Sequence, residues 1–281
     1  MRIVLRIVVA VLSILGIAAL WGILRHRRQI DGEVRDLFAR ADGDAGPVVT
    51  EEDLRDLPEP VQRYLRYSGV VGRPVARTAR LKQRGRIRQG EDSPWMAFTA
   101  REYYTVRPPA FVWEATTTIS GLPVALVRDR YTDGRGHMLV RAAGLAPVVD
   151  AYGEEMDQGA LMRYLNEMMW FPSAYLGENV SWQAIDDASA AVTLVDGQHR
   201  VTATMHFDAE GRVTTFDGRR NRTVPGGYEL ETWSTPITRY GEFGGLRLPS
   251  AGQGVWHLAT GDLPYVEIEV LEVEQDRPEP Y

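Results

Sequence analysis

The 281-residue chain has no cysteine and a single lysine, Lys82, and no acidic residue precedes Asp31. Without cysteine there is no disulfide scaffold, no thiol nucleophile and no lipid-modified amino-terminal cysteine. The lone lysine leaves 31 arginines to carry the remaining positive charge, which fits GC-rich coding better than any need for guanidinium groups. Histidine is scarce as well. His26, His137, His199, His206 and His257 show no i, i+4 pairing with a carboxylate, and His199 and His206 fall on opposite faces of one strand, so neither a metal site nor a cofactor is expected. The chain also lacks a Gly-x-Ser-x-Gly elbow and a Gly-Lys-Ser/Thr phosphate loop. The glycines at 241–245 and 252–254 therefore read as turns.

What is present is an asymmetry. Residues 7–24 (IVVAVLSILGIAALWGIL) carry no charge, and at about 1.5 Å per residue they span roughly 27 Å, close to the thickness of a bilayer's hydrocarbon. Trp21 suits the interface, and Arg25, His26, Arg27 and Arg28 form a stop beside the headgroups. Ala18-Ala19-Leu20-Trp21 is a poor cleavage site, so the segment is expected to be an uncleaved single-pass anchor over 1–28. Setting aside Arg2, Arg6, Arg25, Arg27 and Arg28 leaves 27 basic residues against 38 acids, a net charge of −11 on the body. Such a body does not suit nucleic acid, which requires clustered positive charge. One exception is Arg80, Lys82, Arg84, Arg86 and Arg88, whose every-second-residue spacing puts them on one face of a strand. That face is read as solvated or at a sheet edge, with anionic headgroups as the second reading.

Residues 29–74 read as membrane-proximal helices and linker: a short helix over 29–41, a Gly/Pro-containing linker over 42–49, a helix started by the Thr50-x-x-Asp53 spacing, and another over 60–67 opened by Pro60. From 75 to 281 the pattern changes to period two. Thirteen candidate strands lie between 76 and 274, among them 228–240 and 253–259, and turn signals such as Thr132-Asp133-Gly134 and Val195-Asp196-Gly197 separate them. Most strands follow one another without helical crossovers, which predicts one large, curved antiparallel sheet and a mainly β fold. The exception is a helix over 156–171, stopped by Pro172, whose apolar stripe must be buried against the concave face.

The stretches LPEPVQRYLRYSGVVGRP (57–74), MDQGALMRYLNEMMWFPSAYL (156–176), FDAEGRV (207–213) and TPITRYGEFGGLRLPSAGQGVWHL (235–258) resemble a family of bacterial proteins of unknown function, typically with a hydrophobic amino-terminal segment. The resemblance covers nearly all of the chain after about residue 50 and implies no catalytic residues. In architecture alone, a curved sheet with a helix against its hollow is similar to the LolA/LolB-like lipoprotein carriers, which use that hollow for acyl chains. That likeness implies a body outside the cytoplasm, whereas Arg25 to Arg28 argue for the opposite side.

Three functional readings follow. The preferred one is a membrane-anchored, non-enzymatic protein holding a lipid or other apolar molecule between sheet and helix, with Leu161, Tyr164, Leu165, Met168, Met169, Trp170, Trp113 and Trp233 as the ligand-binding residues. Methionine is flexible and polarizable enough to adapt to varied apolar partners, and indoles add wall area. The second is an enzyme using Glu154, Glu155, Asp157 or Glu167 as acid and base, although acids in a first helical turn also simply oppose the dipole, and Arg163 with Glu167 reads as an i, i+4 surface pair. The third is a filled-core domain that contacts other envelope proteins. Oligomeric state is left open.

Overall fold

The computed structural model describes residues 2–41, 43 and 46–281, without the side chains of 8, 11, 12 and 15. Among the described residues three α-helices, α1 (Arg2–Ala39), α2 (Glu59–Ser68) and α3 (Glu154–Glu167), and three short 3-10 turns accompany fourteen strands. The first half of the sheet is β1 (Thr78–Ile87), β2 (Met96–Thr105), β3 (Ala110–Ile119), β4 (Leu122–Thr132), β5 (Arg135–Ala142) and β6 (Ala146–Tyr152). After α3 come β7 (Val180–Asp186), β8 (Ser189–Asp196), β9 (His199–Phe207), β10 (Val213–Val224), β11 (Gly227–Ser234), β12 (Ile237–Phe243), β13 (Leu246–Leu258) and β14 (Gly261–Gln275).

The strands form one sheet in the order β6-β5-β4-β3-β2-β1-β14-β13-β11-β10-β9-β8-β7, with β12 paired to β13. Neighbouring strands run antiparallel throughout, as the short connections require. The sheet curls strongly. Helix α3 packs against β5 near one end of this order and against β9 and β10 near the other, and the Tyr131 hydroxyl on β4 donates to Asp196 on β8 across 2.6 Å. The two wings thus close around α3 while their edge strands stay unpaired.

Several elements differ from the sequence expectation. The stretch 228–240 splits into β11 and β12 because Pro236 has no N–H to continue the ladder; its carbonyl accepts from Gln253 instead, at 3.1 Å. Strand β13 begins at Leu246 despite Pro249, with β12 covering that first half. The helix expected over 29–41 is the second half of α1, which runs unbroken from Arg2 because nothing between Leu24 and Gln29 interrupts it. Thr50 starts only a 3-10 turn, in which Asp53 accepts from its N–H at 2.7 Å and its hydroxyl at 2.8 Å. The linker 42–49 lies partly outside the described residues. Among the described residues no helix is long and apolar enough to cross a membrane.

The basic face of β1 is not at an edge, because β1 sits between β2 and β14. On β14, Glu274, Glu272, Glu269 and Glu267 face Arg80, Lys82, Arg84 and Arg86 at 2.6 to 2.7 Å, so the positive row is neutralised from the neighbouring strand. That pairing leaves little charge there for headgroups.

The main core lies between the concave face and α2, α3 and the turns after α3, with Leu65, Phe111, Leu161, Phe171 and Phe216 wholly buried. A smaller core on the convex face joins Ile30, Val34, Leu37 and Phe38 of α1 to Tyr103, Ala110 and Val112. Phe38 meets Tyr103 edge to face, at 6.0 Å between centroids. Replacing Leu161 by alanine removes a fully buried side chain from the closed part of the main core. The expected cost is about 2–5 kcal/mol, read as a lowered midpoint in urea denaturation of the full chain.

Candidate functional site

Helix α3 begins after Gly153, and Glu154, Glu155 and Asp157 in its first turn oppose the helix dipole. The helix expected over 156–171 ends at Glu167 and continues as a 3-10 turn over Met168–Trp170, and the apolar stripe shared by the two divides the roles expected of it. Leu161, Tyr164, Leu165 and Met168 are at most 2% exposed and belong to the solid core, and the Tyr164 hydroxyl donates to the Thr105 carbonyl at 2.8 Å. Met169 and Trp170, with Trp113 on β3 and Trp233 on β11, border a cavity of about 240 Å³ between α3 and the sheet. Trp256 and Tyr265, stacked with centroids 5.6 Å apart, and Val266 and Val270 of β14 complete its apolar wall.

The cavity has a polar floor. Arg163 of α3 reaches Glu102 at 2.6 Å, Asp129 at 2.8 Å and Glu167 at 2.7 Å, so strands β2 and β4 each contribute one acid. Tyr104 donates to the second oxygen of Glu167 at 3.0 Å, Gln83 to Glu102 at 3.3 Å, and the Trp113 indole N–H to Gln83 at 3.0 Å. The guanidinium also lies over the Phe111 and Trp113 rings, 4.9 and 5.0 Å from their centroids. The Arg163–Glu167 contact is therefore no surface pair but part of a buried, one-cation, three-carboxylate cluster. Burial pushes the Glu102 carboxyl well above the usual carboxylate range, against the pull of Arg163. For Arg163, the penalty of burial is outweighed by Glu102, Glu167 and Asp129, which hold it charged.

Glu102 and Asp129 are site residues that period two alone does not single out, yet the sequence carries a signal for them. In β2 the inward positions are Phe98, Ala100, Glu102 and Tyr104, and in β4 they are Val127, Asp129 and Tyr131. An acid on the apolar parity of a strand marks a buried partner elsewhere. A second arginine, Arg220 on β10, donates to the Gly159 carbonyl at 3.0 Å and lies over Trp233 at 4.9 Å, on the far wall.

The acidic candidates near α3 separate. Glu154 is exposed and stands apart from the cavity, Asp157 accepts from the Gly136 N–H at 2.7 Å, and Glu155 sits exposed at the cavity rim. Glu167 faces the cavity with both carboxylate oxygens engaged. The neighbouring Asp150 is paired with His137 at 2.7 Å. These acids do not converge on one point.

The molecule is thus a mainly β protein whose open, curled antiparallel sheet holds a helix and a partly apolar cavity. The chain belongs to a family of unknown function, DUF6544, matched over residues 47–268. Comparison with curated proteins returns no match. Among solved structures it is similar to a DUF1329 family protein from Desulfovibrio piger, at 8% identity and a TM-score of 0.44 over 78% of this chain and 92% of that one. It is also similar to a LolA superfamily protein from Nitrosomonas europaea, at 8% identity and a TM-score of 0.41 over 76% and 91%.

The buried cluster predicts a pH dependence. Glu102 has its folded-state pKa raised, so it binds its proton more tightly folded than unfolded. The stability it contributes is fully present below its ordinary value of 4.5 and is lost as pH rises towards the raised one. In urea denaturation between pH 4.5 and 8, Glu102→Gln should show a shallower loss of stability than the wild type. Arg163→Met, which strands three buried acids, should cost about 3–5 kcal/mol near neutral pH and recover part of it on acidification.

Proposed function

We propose that this protein is a membrane-anchored binding protein that holds one apolar or amphipathic small molecule, such as a single lipid chain, in the cavity between α3 and the sheet. The observation that carries this reading is the cavity itself, bordered by Trp113, Trp170, Trp233, Trp256 and Met169 between α3 and the sheet. Its volume, about 240 Å³, lies just under the roughly 300–1,000 Å³ typical of drug-sized ligands, which suits one chain rather than a multi-chain anchor. The anchor is the uncharged run 7–24 within α1, flanked by Arg25, Arg27 and Arg28.

The polar floor supports an amphipathic ligand over a pure hydrocarbon. Arg163, Asp129, Glu167 and Arg220 in the lining offer both hydrogen-bond donors and acceptors to a polar head. An enzymatic role has less support. Glu154, Glu155, Asp157 and Glu167 do not meet at one point of the cavity, and Glu167 is held by Arg163 and Tyr104.

The test is native mass spectrometry of the full chain released from mild detergent, with displacement of an apolar dye as a second readout. The wild type should retain one lipid-sized mass. Met138, half-buried in the cavity lining and opposite Asp129 in the β4–β5 register, offers a site for filling the space. Met138→Trp should lose both the retained mass and dye binding while keeping the wild-type circular dichroism. A wild-type chain that carries no ligand and displaces no dye would overturn the reading.

A further inference from the structure

Two hairpins end in uncharged tips with their apolar side chains in solvent. Residues 115–127, around the β3–β4 turn, and 142–149, around the β5–β6 turn, contain no charged residue in a chain that is 25% charged. Ile119, Leu122, Leu145 and Val148 are 46%, 70%, 40% and 61% exposed, and Pro123 and Pro147 stand exposed beside them. Scattered apolar residues on a surface need no explanation, but a contiguous pair of apolar loops does.

The register puts both tips at the same end of the sheet. Thr118 lies opposite Pro123, the Ala143 N–H bonds to the Val124 carbonyl, and Leu122 extends two residues further, roughly 7 Å at about 3.3 Å per residue. Helix α1 lies along the convex face between the two ends of these strands. At the far end, Arg40 pairs with Asp133 in the β4–β5 turn. At the near end, Gly22 packs on Gly144 so closely that a side chain at position 22 would overlap the Gly144 carbonyl, and Ile23 meets Gly144 itself, held at φ +74°. Gly22 is the point at which the helix leaves the body. Beyond it Ile3, Ile7, Ile14 and Ile17 are each more than half exposed.

The tips therefore stand beside the last turn of the apolar run, level with the stretch where Trp21 stacks on Arg25 at 5.4 Å. We infer that the β3–β4 and β5–β6 hairpin tips are inserted in the interfacial layer of the bilayer that α1 enters, holding the body in one fixed orientation. This rests on the anchor reading above. Continuity with the apolar helix, the arginines at headgroup level and the lack of charge in both loops single out a lipid surface over a protein partner. Of the cavity lining, Ile87 sits at the same strand ends, opposite Met96 and next to the Ala97–Thr118 pair.

The absence of cysteine makes the test direct. Single cysteines at Ile14, Leu122, Val148, Ile185 and Leu271 of the full chain are labelled with an environment-sensitive dye. The labelled chains are reconstituted in phosphatidylethanolamine–phosphatidylglycerol vesicles containing a nitroxide-labelled phosphatidylcholine. Leu122→Cys and Val148→Cys should lose emission to the nitroxide together with Ile14→Cys, while Ile185→Cys and Leu271→Cys, at exposed positions away from the tips, keep theirs. Quenching at Ile14 without quenching at Leu122 and Val148 overturns the insertion and leaves the anchor intact. No quenching at Ile14 overturns the anchor itself and the insertion with it, and equal quenching at Leu271 overturns the fixed orientation.

Discussion

Arg163 is the link between α3 and the sheet that curls around it. A helix inside an open sheet is held mainly by its apolar stripe, which fixes neither its rotation nor its depth. The guanidinium fixes both, because it must meet Glu102 from β2, Asp129 from β4 and Glu167 from its own helix while lying over Phe111 and Trp113. Burying charge is costly unless every group is paired, so this cluster tolerates little displacement. With α3 held from the β2–β4 side, the space on its β11–β14 side is what the helix does not fill. The cavity follows from where the arginine is anchored.

Two kinds of wall result from this arrangement. On the Leu161, Tyr164 and Leu165 face, side chains from α2, the turns after α3 and the wing β8–β10 interdigitate to a closed core. On the other face the strand partners are glycine-rich, Gly252 and Gly254 on β13, and large aromatic rings must cover what small residues leave open. Trp233 and Trp113 spend their indole N–H groups on Tyr265 and Gln83, and Trp170 on the Pro249 carbonyl. The rings are thus oriented by hydrogen bonds at their edges, while Arg163 covers one face of Trp113 and Arg220 one face of Trp233.

How much of this could be read from the sequence depended on the range of the pattern concerned. Period two within a strand is local, so the strands, the antiparallel sheet and the helix in its hollow were legible. The row Arg80 to Arg86 was legible as a face, but its partners Glu267 to Glu274 sit on a strand nearly two hundred residues away, and only the register reveals that the charges cancel. Arg163 and Glu167 look like a surface pair for the same reason: i, i+4 spacing is visible, and the strands that bury it are not. The split of cavity-facing from core-facing residues on α3 and the turn after it was illegible in principle, since a 3.6-residue period gives the direction of a stripe and not the size of the space it meets. The unbroken course of α1 was missed by placing a boundary at the arginines, where no glycine, proline or cap ends a helix.

Orientation joins these features. Because α1 runs from Gly22 at one end of the strands to Arg40 at the other, the helix is strapped to the sheet over about 27 Å at 1.5 Å per residue, with Glu33 near Arg128 and Arg130 at 3.5 and 4.0 Å. A strap of that length cannot pivot like a flexible tether, so wherever the amino-terminal half of α1 is held, the sheet is held with it. The strand ends that turn at 119–122 and 142–146 then face the same way as the apolar run, and Ile87 of the cavity lining lies at those ends. A binding protein on a flexible linker would have to capture its ligand from water, where an apolar chain is scarce. On the proposed anchoring and binding, a rigid strap replaces that search with geometry, because it keeps the hollow at a constant distance from the surface that the helix would enter.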